Sequence, residues 1–527
     1  MVSNRRAAIG VGVLIVWAAM VGWHVHREYF EPELTRLTRA TMSLAPGTNF
    51  YALRMGNETV GTATSRLDTV PDGGGFILQD QMNLELAALG QSGGAMTQTR
   101  VSLSPTLSME SFSFSLASDA GRFEARGSVS GDTLLTVDVD AGGSVEEVSF
   151  RLQDPPIFAA VLPIRVAMSG ELRPGRTFRF PVFDPSTVST RTVEVQVLAQ
   201  DTLMVPDTVI REPGSGRWVP SGQVAVPAWQ ISEDYGGIRV ESWIDADGRV
   251  LRSSSPMGFS MEKTEFELAR QDQDDTRSRG GGRGAGADVV LNTAIESNVD
   301  LGRVETHDEL RFLLSGVDLE GFDLDGGRQE LRGDTLIVRR ESWSELSPEY
   351  DLPYPRMDLR EALQPEPLIQ SGNERIIAEA REAVSWRSRG GNDPKASAQR
   401  LNVHVHRLIR KEMAFAIPSA LQVLETRRGD CNEHTVLYVA LARSLGLPAR
   451  TAVGLVYMEG AFFYHSWPEV WLGEWVAMDP TLGQSPASAA HIRFRVGGLA
   501  QQVEIARLIG SLRIRVLDEL PRATEER

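Results

Sequence analysis

The sequence predicts an α+β protein: antiparallel sheet through its first half, a smaller strand-rich piece, then a helix bundle joined to an antiparallel sheet. Apolar patterning carries this in two ways, and length adds a third observation. From about Asn49 to Glu267, apolar residues come in short alternating runs broken by Gly, Asp, Pro or Ser. Beyond Ile376 the spacing becomes that of a single helical face. At 527 residues the chain is longer than one hydrophobic core organises, so about two to four domains are expected.

The N-terminal residues stand apart from any globular fold. Arg5 and Arg6 precede an uncharged apolar run from Ala7 to Trp23, and His24, His26 and Arg27 follow it. Such a run sits at the short edge of a membrane span, and the basic residues ahead of it favour that end staying inside. No small-x-small cleavage site follows. The expectation is an uncleaved transmembrane signal anchor at 7–23, with 1–6 a cytoplasmic stub and the bulk of the chain periplasmic. A cleaved secretory signal is the alternative.

The β-rich region is placed at 45–267. In Ser111-Phe112-Ser113-Phe114-Ser115-Leu116, as from Gly237 to Trp243, period-two alternation means one buried face and one wet face. Asp247-Gly248, between Trp243-Ile244 and Val250-Leu251, reads as a hairpin turn. The region reads as a twisted sheet or open barrel without a chemical motif; a scaffold is preferred, and a barrel mouth for an apolar ligand is the other reading. Gln271 to Ala287, rich in Gly and charge, reads as a flexible linker. A small β-rich domain is placed at 288–345. Its acidic residues Asp318, Glu320, Asp323 and Asp325 fit no EF-hand spacing and read as a solvated turn.

Helices follow. Ile376, Ile377, Ala380, Ala383 and Val384 share one face, and Ala398, Leu401, Val405, Leu408 and Ile409 repeat the pattern. His404 and His406, two apart, point away from each other and read as ordinary helix residues.

The chemistry concentrates between Arg427 and Ile492. Cys431 is the chain's one cysteine, which rules out an intramolecular disulfide and a multi-cysteine metal site. It stands at the start of a helix whose apolar side holds Val436, Leu437, Ala440, Leu441 and Leu445, closed by Gly446 and Pro448. Unpaired N–H groups at a helix start favour thiolate over thiol and can stabilise an oxyanion. Two strands then deliver His465 and Asp479, with the Gly473-Glu474 turn near their midpoint, so antiparallel pairing brings them close. Singly, His465 reads equally as a satisfied strand histidine and Asp479 as a turn former. Together with the cysteine they make a nucleophile, base and orienter. Trp467 shares the strand face of His465 and reads equally as a wall of the substrate cleft or as core. Glu433 and Glu469 are expected in salt bridges or facing water.

These residues carry a resemblance. Gly429-Asp430-Cys431, Ala442 to Arg450 with Leu447-Pro448-Ala449-Arg450, His465-Ser466-Trp467, Trp475 and Asp479-Pro480-Thr481 resemble the transglutaminase-like core of the papain-like cysteine enzymes, over about 369–496. A C-terminal extension occupies 497–527. The resemblance implies Cys431 as nucleophile, His465 as general base and then acid, Asp479 as orienter, no cofactor and no metal at the triad. It implies acyl transfer on a peptide or glutamine carboxamide through a thioester, with hydrolysis placed ahead of cross-linking. The expected substrate is protein or peptide outside the membrane. A net charge of −16 makes nucleic acid an unsuitable partner. The competing reading is a non-catalytic binding or scaffold module, with the β-rich region as the ligand- or partner-binding part.

Overall fold

The computed structural model describes residues 33–71, 74–88, 91–131, 133–278, 288–384 and 392–517. The expected signal anchor at 7–23 lies outside them. Among the described residues no helix is long and apolar enough to cross a membrane.

The first half is one fifteen-stranded sheet. Its seam is the pairing of Gly47–Met55 with Phe259–Thr264. From that seam, sequence neighbours pair outward to Ser144–Arg151 on one wing and back to Ile157–Phe158 on the other. Every pairing is antiparallel except the short one at Val182 and Ile157. The two wings curl toward each other because their alternating apolar faces need a common interior. Val101, Phe112 and Phe123 of one wing share a core with Phe183, Val193 and Ile231 of the other, and the Phe112 and Phe183 rings lie 5.1 Å apart. This is an open barrel. The Asp247-Gly248 hairpin forms, with Ile244 opposite Val250.

Two expectations change. Residues 271–278 are not linker but the end of a helix, Phe266–Ser278. Its hold on the sheet is specific: the Gln271 amide both accepts from Trp218 N at 2.8 Å and donates to Trp218 O at 3.1 Å, and Asp275 pairs with Arg217 at 2.5 Å. The rest of the expected linker, 279–287, lies outside the described residues. The piece at 288–345 has no core of its own. Strands Glu309–Ser315, Gln329–Arg332 and Thr335–Arg339 are too short to bury one, and they recruit Arg513–Val516 from the C-terminal extension as a fourth strand. Phe312, Leu336 and Val338 then pack with Leu455, Phe462 and Phe494 of the C-terminal sheet. Asp318 and Asp325 accept the nearby Glu320 and Leu331 N–H groups, whereas Asp323 takes the Val496 N–H of the C-terminal sheet.

The last part is helices against a sheet. The helix Cys431–Ser444 is central, with Glu433 through Arg443 all buried. Helices Glu374–Val384, Pro394–Leu408 and Ala420–Thr426 pack on it, and strands Ala449–Met458 and Ala461–Trp471 also contact it. The Ala461–Trp471 strand is bordered by Trp475–Ala477, and the Ala449–Met458 strand by His491–Val496.

The halves meet through an arm leading to Cys431. Arg410–Lys411 pairs with Arg428–Gly429 and ties off residues 412–427 as a loop. That loop leans on the barrel edge. Ile417 enters the main sheet core and Phe415 packs on a second cluster around Tyr51 and Leu53. Ser419 Oγ donates to Ala141 O, and Gln422 Nε2 donates to Ala120 O at 2.8 Å.

Candidate active site

The cysteine's position is built by its neighbours. Asp430 is the N-cap, its carboxylate accepting from Asn432 N at 2.9 Å. Glu433 completes a capping box by accepting from Asp430 N at 2.8 Å. Gly429 lies at φ +154°, and a Cβ there would come within 2.3 Å of the Glu433 side chain. Any larger residue would push Glu433 off the cap, which gives the glycine two residues before the cysteine a packing reason.

The same cap corrects the expectation of a favoured thiolate. The helix start is already faced by the Asp430 carboxylate, which offsets its partial positive charge, and by the Glu433 carboxyl, which burial and Asp430 push well above the usual range. Cys431 keeps some solvent exposure. Even so, burial pushes its thiol well above the ordinary value, and Asp430, Glu433 and Asp479 push the same way. The N–H of Ser466 donates to Sγ and pulls against them. That bond sets Cys431 against the strand one residue from His465.

His465 and Asp479 come together as the hairpin spacing predicts. Glu469 opposes Ala477, Met478 N donates to Pro468 O, and His465 Nε2 donates to Asp479 Oδ2 at 2.8 Å. Both side chains are buried. Because Nε2 carries the hydrogen toward Asp479, Nδ1 is the nitrogen left to accept a proton. Burial alone would raise the Asp479 carboxyl, but His465, then His491, hold it well below the usual carboxylate range.

His491 is the residue that sequence reasoning missed. Its Nε2 donates to the same Asp479 Oδ2 at 2.9 Å, and its Nδ1 lies 3.1 Å from Ser488 Oγ. Burial favours its neutral form, in which Nδ1 accepts from the Ser488 hydroxyl. Asp479 Oδ1 takes Leu482 N at 2.9 Å, so the carboxylate is held on both oxygens. The strand of His491 comes close through Gly454, opposite His465, where a Cβ would lie 1.9 Å from Ile492 O. A His in an apolar strand after the Asp-Pro-Thr turn was the available signal, but no spacing rule picks it out.

Trp467 does not wall a cleft. It is fully exposure-free, packed with Ala452, Ala477 and Ala487. Its ring stacks 6.0 Å from His465 and meets His491 edge-on at 5.2 Å. The strand is covered on both faces, so its i+2 position is core, and Trp467 backs both imidazoles from inside. His434 is buried, its Nδ1 donating to Asp430 O at 2.6 Å. His404 pairs with Glu379 at 2.7 Å. His406 does more than an ordinary helix residue: its Nδ1 donates to Pro480 O at 2.9 Å, bracing the turn after Asp479.

Glu469 lies in a salt bridge and not in water. It is buried between Arg450, at 2.6 Å, and Arg493, at 3.1 Å. Arg450 also stacks over Trp475, 4.0 Å from the ring centroid. This joins the Pro-Ala-Arg element to the strand Trp475–Ala477, two residues before Asp479.

Nε2 of His465, Oδ2 of Asp479 and Nε2 of His491 lie within 4.8 Å of one another, a set that could hold a metal ion. The two hydrogen bonds to Oδ2 account for the cluster without one. An ion there would displace both shared protons and leave His465 unoriented.

Comparison with known proteins adds the following. No curated protein matches the chain. Among solved structures, a beta-barrel-like protein of domain of unknown function DUF1849 from Brucella abortus aligns at 14% identity over 42% of this chain and 97% of that one, with TM-score 0.30. A protein from Cytophaga hutchinsonii named a "putative cysteine protease" aligns at 15% identity over 40% of this chain and 81% of that one, with TM-score 0.27. A duf1089 family protein from Pseudomonas aeruginosa aligns at 10% identity over 39% and 89%, with TM-score 0.22. Likenesses at these scores carry no argument. His491 lies outside the one family match, but the other three residues lie inside it: residues 383–480, with Cys431, His465 and Asp479, match the model of the transglutaminase-like superfamily.

Proposed function

We propose that the C-terminal part is a cysteine-dependent acyl-transfer enzyme acting on peptide or glutamine carboxamide groups. The observation that carries the reading is the buried 2.8 Å His465–Asp479 pair, set beside Cys431 by the Ser466 N–H. In the first step the Sγ proton passes to His465 Nδ1 as Sγ bonds to the carbonyl carbon. The oxyanion meets the N–H of Cys431 itself, because the Asp430 cap takes those of Asn432 and Glu433. The C–N bond then breaks, His465 gives its proton to the leaving ammonia or amine, and a thioester remains. Water, deprotonated by His465, attacks the thioester; the C–S bond breaks and the thiol regains its proton. An amine in place of water gives an isopeptide cross-link. Hydrolysis is placed first, and Asp479 keeps His465 in the required tautomer throughout.

The substrate is proposed as protein or peptide outside the cytoplasmic membrane, supported by Arg5, Arg6 and the apolar run at 7–23. The raised Cys431 thiol is the one observation favouring a non-catalytic module instead. Ammonia release from glutamine-containing peptides, and cleavage of casein, should occur with the full chain and vanish in Cys431→Ala. Equal turnover in that variant, or none in either, would favour the module.

A further inference from the structure

The open barrel encloses a cavity of about 470 Å³, in the size range of small-molecule sites. Tyr51, Met82, Phe114, Phe158, Val182 and Met261 line it. They come from both wings, so the cavity is a product of the curl and not of any single strand. Polar side chains stand among them, including Thr64, Thr97, Thr99 and Arg191, and one is Asp80. Register puts it on the inward face: Asp80 opposes Ser65 and Thr99, and Thr99 opposes Phe114. Its Oδ1 is shut off from solvent and has no hydrogen-bond partner among the described residues. Burial raises its carboxyl to about 6, with the Ser65 hydroxyl pulling the other way.

A second carboxylate at the cavity, Asp184, is provided for. It accepts from Ser186 Oγ at 2.6 Å and faces Arg191 at 3.5 Å. Among the described residues of the lining, Asp80 is the one with a buried acceptor atom and no partner for it. A buried acceptor left unpaired costs stability, and a ligand that donates to it recovers that cost. The apolar walls supply the rest of the affinity.

We propose that the barrel cavity binds a small apolar molecule carrying one hydrogen-bond donor, seated with that donor on Asp80. The site is separate from Cys431 and stands or falls independently of the acyl-transfer reading.

The test uses the full chain and 1-aminoanthracene, an apolar tricycle with one amine, followed by its fluorescence. Saturable one-site enhancement is expected. Ala63→Phe and Met261→Trp each fill the cavity and should abolish it; circular dichroism confirms folding, and either variant suffices if the other does not fold. Asp80→Ala should weaken 1-aminoanthracene by about tenfold while leaving the weaker binding of donor-free anthracene unchanged. No saturable binding, or wild-type affinity in both filled variants, overturns the site. An Asp80→Ala variant that binds 1-aminoanthracene as wild type overturns the role given to Asp80.

Discussion

Two buried carboxylates near the candidate active site and two in the barrel meet different surroundings. Near the candidate active site two are matched: Glu469 lies between two arginines, and Asp479 accepts from two histidines and a backbone N–H. In the barrel, Asp80 keeps an oxygen with no partner among the described residues, and Glu233 accepts from Ser242 at 3.4 Å while burial raises its carboxyl to about 7. Matched networks fix geometry, as a reaction needs. Open acceptors leave room for something to arrive.

The largest effect should come from the chemistry itself. Cys431→Ala abolishes turnover while urea unfolding stays within about 1 kcal/mol of wild type. If stability falls steeply as well, the cysteine is packing. Next comes Glu469→Ala, which strands Arg493 and Arg450 and should cost about 3–5 kcal/mol by urea unfolding. A loss under about 1 kcal/mol would mean that the network is hydrated and the contrast overstated.

Asp80 and Asp479 give a pH contrast of opposite sign. Asp479 has a depressed folded pKa, so its contribution is present above the unfolded value of about 3.9 and is lost as pH falls through the folded value. Asp80 is raised to about 6, so its contribution is present below the unfolded value and is lost as pH rises through about 6. Asp80→Asn should therefore stabilise by on the order of 1–2 kcal/mol at pH 7.5 and by nothing at pH 4, by thermal melting at each pH. A gain independent of pH would refute the unpaired carboxylate. The smallest effect is expected from His491→Asn, a slowing of turnover by about tenfold with a shifted pH profile, because Asp479 loses one partner while His465 keeps its own. An unchanged pH profile would make His491 purely structural.

The sequence made Cys431, His465 and Asp479 legible because each sits at a position with its own signal: a helix start, a strand and a strand-to-turn exit. Alternation made the barrel legible as sheet, and the Asp247-Gly248 turn as a hairpin. What stayed hidden depends on distant contacts. Trp467 read equally as cleft wall or core because alternation gives a face without saying what covers it. His491 reaches Asp479 only because a third strand closes over Gly454. The helical turn at 271–278 is held by Trp218 and Arg217, far away in sequence, against its weak local apolar content. The thiol was misjudged because a helix start was read without the burial around Cys431 and without its caps.

The most direct test of the central claim is the rate at which Cys431 is acylated by p-nitrophenyl acetate at pH 7, read by intact mass in wild type and His465→Gln. The account predicts a single acetyl group on Cys431, formed at least about 100-fold faster in wild type. Equal rates in the two proteins, or no acylation of either, would contradict it.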